Sequence, residues 1–175
     1  MSSDDYIYFK DYLHEVTIMG DWSKAESMLK SFEDIVTEAL TSDGSTILHI
    51  AVGIGHNDFV KKLLFYVTSE QALQQRETDG STALHVAAIV GNKHAAELLV
   101  KKNIKLLRIK DRNGKEPLHK AYENMHLDTI GYLLKAVSDY AETELPSSLS
   151  DLANHDDEIG VGLLVNAISA KQYSK

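Results

Sequence analysis

The 175-residue chain has no cysteine and a formal net charge of −8, with 43% of its residues apolar and 25% charged. That balance is globular rather than disordered, excludes disulfides, thiol catalysis and cysteine-bound metals, and works against broad nucleic-acid binding. No apolar run approaches the roughly 20 residues of a membrane helix. The acidic start, MSSDDYIYFKDYLHE, has no signal-peptide pattern.

In chain order, the first helical pair is read from LHEVTIMGDWSKAESMLK, with Leu13-His14 followed by Gly20. Three further segments repeat one pattern: DGSTILHIAVGIGHNDFVKKLL from Asp43, DGSTALHVAAIVGNKHAAELLV from Asp79 and NGKEPLHKAYENMHLDTIGYLL from Asn113. Their turn glycines, Gly44, Gly80 and Gly114, stand 36 and 34 residues apart. Asp-Gly and Asn-Gly are turn dipeptides. Thr46 and Thr82 sit where a hydroxyl caps a helix start, and Gly55 and Gly91 where a helix stops. The spacing predicts first helices over about Thr46–Gly53, Thr82–Val90 and Glu116–Glu123. Second helices are predicted over Asp58–Tyr66, Lys93–Lys101 and Leu127–Val137. Apolar residues at 3 and 4 spacing, such as Phe59, Val60, Leu63 and Leu64, mark the buried face of each second helix. A fifth, partial copy is read from GVGLLVNAISAKQYSK.

The pattern D-G-x-T-x-L-H-x-A-x-x-x-G resembles the ankyrin repeat. The resemblance implies an all-α ankyrin-repeat solenoid, a single domain over 1–175. Its repeats fall at about 8–40, 41–76, 77–110 and 111–145, with the partial copy at 156–175 and a loop insertion near 138–158. Repeat four departs from it, with Glu116-Pro117 for Thr-Pro and Met125 in a glycine position. GDWSKAESML, the long Val67–Gln75 connection and LLVNAISAKQY resemble plant ankyrin proteins of the accelerated-cell-death type. In those proteins an ankyrin array precedes a C-terminal membrane domain with a Pro-Gly-Gly motif, and this sequence contains no such segment. The narrower resemblance implies a cytoplasmic array, at the cytosolic face of a membrane in a full-length protein, acting in stress or immune signalling. The alternative is a soluble adaptor or inhibitor, including a pathogen-encoded one that captures a host factor.

No catalytic constellation emerges. His49, His85 and His119, with His14, recur once per repeat, about 10 Å apart and too far for one metal. They read as neutral imidazoles bridging neighbouring turns. His56, His94, His126 and His155 read as exposed. Asp4-Asp5 and Asp156-Asp157-Glu158 read as solvated loops. Gly53-Ile54-Gly55 is only a fragment of a phosphate loop. The expectation is therefore no enzyme, no cofactor and no metal. The expected partner is another protein rather than nucleic acid, with membrane contact only through a segment absent from this chain.

Ankyrin arrays bind through turn tips and the exposed side of first helices. Register then selects Ile18, Met19, Ile54, Ile89, Val90, Glu123 and Asn124 on the groove side, and Asp43, Ser45, Asp79, Ser81, Asn113 and Lys115 at the tips. The groove line is aliphatic through three repeats and polar in the fourth. Lys101–Lys120 holds eight basic residues, a second candidate patch for an acidic partner or anionic surface. Trp22 reads as core or cap packing.

Overall fold

The computed structural model describes residues 3–67, 69–74 and 77–143. The chain divides into two compact units, Met1–Ala141 and Glu142–Lys175. The fifth copy and the acidic triplet Asp156–Glu158 lie outside the described residues.

The helices come in antiparallel-repeat order: α1 (Ser3–Met19) and α2 (Trp22–Ser31), α3 (Ile47–Ile54) and α4 (Asn57–Tyr66), a single turn α5 (Glu70–Leu73), α6 (Ala83–Val90) and α7 (Lys93–Lys102), then α8 (Pro117–Glu123) and α9 (Leu127–Thr143). Short 3₁₀ turns at Glu33–Thr37 and Ile104–Arg108 follow α2 and α7. Among the described residues there is no strand. The first helices form a continuous row, α1 on α3, α3 on α6 and α6 on α8, while α4 packs on α7. Core residues sit between the pairs: Leu13, Leu29, Ile47, Leu63, Leu84, Leu99, Leu106 and Leu133 are at most 1% exposed. No pair could bury this surface alone, so the stack is the core.

Three features differ from the expected elements. Helix α9 runs to Thr143, so 138–143 continue the helix expected to end at Val137 and do not open the loop insertion expected near 138–158; its remaining residues, 144–158, lie outside the described residues. Helix α1 starts at Ser3, so Asp4 and Asp5 belong to a helix and not to a loop. The long connection after α4 contains α5, whose Ala72 and Leu73 are buried. Met125, in the glycine position, has φ of +59°, the one positive φ at a non-glycine among the described residues. No helix of the described residues is long and apolar enough to cross a membrane.

Candidate functional site

The turns are built first, because they place everything else. The backbone N–H of Thr78 donates to the carbonyl of Asp43 at 2.8 Å, and that of Arg112 to the carbonyl of Asp79 at 2.9 Å. Each turn is thus tied to the next through its tip. Beneath it, the first helix opens on a capping box. The N–H of Thr46 donates to His49 Nδ1 at 3.2 Å, and that of Thr82 to His85 Nδ1 at 3.1 Å, while the threonine hydroxyl faces the start of the helix. Glu116 takes the same place before Pro117, and its N–H donates to His119 Nδ1 at 3.2 Å. His85 is fully buried, and its Nε2 donates to the carbonyl of Lys115 in the next turn at 3.0 Å. Burial holds its pKa below the usual histidine value, so the ring is neutral. An imidazole that accepts at one nitrogen and donates at the other joins its own helix start to the neighbouring repeat. The bridging role expected of this histidine series is present at His85.

His56 and His126 are not the exposed side chains the spacing suggested. Both are half-buried, and each donates from Nε2 to a carbonyl at the end of the preceding first helix: His56 to Ile18 and His126 to Ile89, both at 2.8 Å. Asn92, at the same position of its repeat, donates from Nδ2 to Val52 at 3.0 Å. This second ladder fastens the loop end of each repeat, as the turn ladder fastens the tip. Local sequence could not reveal it, since the acceptors lie 37 to 40 residues earlier.

Two of the selected contact residues are corrected by burial. Ser45 and Ser81 are 7% and 0% exposed. Ser45 donates its hydroxyl to Glu77 Oε1 at 2.5 Å, and Ser81 donates its own to Asp79 Oδ2 at 2.9 Å. They tie the turns together and offer no contact surface. Asp43, Asp79 and Asn113 are exposed at the tips. Asp43 accepts from the Thr41 hydroxyl and from the Ser45 N–H, and these bonds hold its carboxyl below the usual range. Lys115, half-buried, is paired with Glu123.

The basic stretch is also largely neutralised. Lys105 pairs with Glu70 at 3.1 Å, Arg108 with Glu116 at 3.4 Å and Lys120 with buried Asp111 at 2.8 Å. With Lys115 engaged, half of the eight cations are paired, which removes the case for one continuous patch. Lys101 and Lys102 remain exposed and form no ion pair among the described residues.

The aliphatic line fares differently. Ile18 and Ile54 are each 46% exposed, Met19 67% and Val90 43%. Ile89 is half-buried, and Glu123 and Asn124 are exposed. These residues end four successive helices of one row, α1, α3, α6 and α8. The row therefore presents apolar side chains to solvent over three repeats and polar ones over the fourth. Among the described residues no group of three His, Asp or Glu side chains could hold a metal ion.

A family model described as ankyrin repeats, in three copies, matches residues 48–144. The chain belongs to the ankyrin-repeat family. The all-α ankyrin solenoid read from the turn and Leu-His spacing is the fold observed. Ankyrin repeats are protein–protein interaction modules, and the matched stretch takes in the pairs α3–α4, α6–α7 and α8–α9. No curated protein sequence matches the chain.

Trp22, expected in packing, is half-buried at the start of α2, where its ring meets Phe59 edge-on at 5.1 Å and Tyr66 at 5.6 Å. It also walls an open cleft with Phe65. The sequence signal for that cleft is Phe65, which stands off the buried stripe of α4.

Proposed function

We propose that this ankyrin array is a non-enzymatic module that captures one protein partner along its first-helix row, in plant stress or immune signalling at the cytosolic face of a membrane. The observation that carries the binding reading is the line Ile18, Met19, Ile54 and Val90. These are aliphatic side chains 43% to 67% exposed, at the ends of three helices that pack side by side. A folding stack gains little from them, since its core lies between the helix pairs, so their exposure favours a partner. Asp43, Asp79 and Asn113, exposed at the turn tips before α3, α6 and α8, would add polar contacts to those of the line. Ile89, Glu123 and Asn124 complete it as neighbours, and Lys115 joins it through its pair with Glu123. The signalling context rests on the resemblance of GDWSKAESML, the Val67–Gln75 connection and LLVNAISAKQY to accelerated-cell-death-type plant proteins.

The test is a pull-down from native plant extract with the wild-type chain and with Ile54→Glu/Val90→Glu. A partner retained by the first and lost by the second, while the melting temperature holds, is the expected result. A partner retained equally by both places the contact elsewhere.

A further inference from the structure

Helices α2 and α4 hold between them a feature that the first-helix row does not use. Trp22, Glu26, Lys62, Phe65 and Tyr66 line an open cleft of about 440 Å³. We propose that this cleft is a second docking site, taking an apolar side chain from an acidic segment of a partner protein, independently of the first-helix row.

Three observations support it. Phe65 is 75% exposed, the most exposed of the large apolar residues on α4, although Phe59, Val60, Leu63 and Leu64 already fill the buried face of that helix. An aromatic side chain standing in water beside a cleft is surface that folding leaves unused. The opposite wall is packed against the core and held by a hydrogen bond. Trp22 is wedged edge-on against Phe59, and Tyr66 beside it donates its hydroxyl to Glu26 at 2.6 Å. A cleft with preset walls binds without first ordering them.

The charge at its rim sets the chemistry of the occupant. Glu26 accepts from Tyr66 and pairs with Lys30 at 3.4 Å, so its carboxylate is already satisfied. The Tyr66 hydroxyl is the main reason its pKa lies below the usual glutamate value. Lys61 and Lys62, by contrast, are exposed and enter no ion pair among the described residues. On the neighbouring helix α7, Lys101 and Lys102 are in the same condition. Set against Asp58 on the same helix as Lys61 and Lys62, and Glu26 in the cleft wall, which Lys62 already attracts, these four lysines of α4 and α7 still leave a local excess of cations in a chain of net charge −8. An apolar anchor between carboxylates complements that rim on both counts. An anionic bilayer would meet the lysines but, being flat, would leave the cleft unfilled.

Trp22 is the only tryptophan of the chain, so all tryptophan fluorescence comes from a residue that lines this cleft. The probe is the acetylated, amidated peptide Glu-Asp-Phe-Asp-Glu, titrated into the full chain at low salt. Controls are the same peptide with central Ala, and Lys-Lys-Phe-Lys-Lys. A saturable change with the acidic Phe peptide is expected, at least fivefold weaker with either control. Phe65→Ala and Lys62→Glu should each weaken it at least threefold, with unchanged circular dichroism, while Ile54→Glu/Val90→Glu leaves it at wild-type strength. The proposal is overturned by equal binding of the Ala control, by wild-type affinity in Phe65→Ala, or by no saturation up to millimolar peptide. It is also overturned by a response only to vesicles of phosphatidylserine and phosphatidylcholine, which would make the face a membrane contact. Loss of the response in Ile54→Glu/Val90→Glu would mean that the two faces are one site.

Discussion

Two titratable groups, one buried and one half-buried, carry opposite pH signatures. His85 accepts the Thr82 N–H and donates to the Lys115 carbonyl, so His85→Ala removes both bonds and leaves the buried Thr82 N–H without this acceptor, while the Lys115 carbonyl still accepts from the Asp111 N–H. A loss of about 1–3 kcal/mol is expected from urea denaturation. Because burial lowers its folded pKa, the unfolded chain takes up this proton first as pH falls below roughly 6.5. The stability it supplies is present above that pH and declines below it. The midpoint difference between pH 7.5 and 5.5 should therefore shrink in His85→Gln. Glu77 behaves the other way. Burial raises its pKa above the usual value, and Asp43 and Asp79 raise it further, against the opposing bond from Ser45. A raised carboxyl pKa favours the fold at low pH, and this contribution is lost as pH rises through the folded value. Glu77→Gln keeps an oxygen for Ser45 and stays neutral. It should stabilise the protein at pH 7 by a few tenths to about 1 kcal/mol, since the site is half-buried. Thermal melts should show this gain fading toward pH 4.

At the scale of elements, the turn ladder makes a graded test of how closely repeats approach. Gly44 and Gly80 hold the same turn position with φ of +87° and +85°, so alanine is similarly strained at both. The space differs. A Cβ on Gly80 would lie 2.8 Å from the Arg112 backbone nitrogen, whereas on Gly44 the nearest atom is the Thr78 nitrogen at 3.3 Å. Gly44→Ala should cost about 1–2 kcal/mol and Gly80→Ala about 2–4, because the second must also push one turn off another. Chemical denaturation of both variants gives the comparison. Equal losses would mean that backbone strain alone governs the turn.

The same scale shows what the sequence carried. Turn glycines, capping threonines and Leu-His pairs recur because each copy meets the same local demand, and local demands are legible in a single chain. Helix α1 could not be bounded, since SDDYIYFKDYLHE shows no helical stripe and its aromatics fall on several faces. The candidate site was half legible. Register found Ile54 and Val90, but it also selected Ser45 and Ser81, whose burial depends on the next turn lying over them. Pairs such as Lys105 with Glu70 and bonds such as His56 to Ile18 join residues more than thirty positions apart, and no spacing rule encodes them.

At the scale of the whole molecule, a stack of repeats separates what holds it together from what it shows to others. Its stability is a sum of terms within each repeat and terms at the interfaces between neighbouring repeats. Adjacent residues of α6 lie on the two sides of that division. Ile89 is half-buried, and its carbonyl receives His126 from the next repeat; Val90 is 43% exposed. Ile89→Glu should therefore lower the melting temperature, because a carboxylate is forced against the loop ladder. Val90→Glu, alone or with Ile54→Glu, should change stability by no more than about 0.5 kcal/mol per site, as at other exposed positions. In a complex the order reverses. If a partner covers the line from Ile18 to Val90, a carboxylate at 54 or 90 is buried without a counter-charge, and each one costs several kcal/mol, or more than a hundredfold in affinity. Melting curves and partner retention measured on the three variants form one experiment. The expected pattern is a destabilised Ile89→Glu beside stable Val90→Glu and Ile54→Glu/Val90→Glu that no longer bind. If Val90→Glu unfolds the chain, the aliphatic line belongs to the core. If it folds and binds as before, the first-helix row is not where this protein meets its partner.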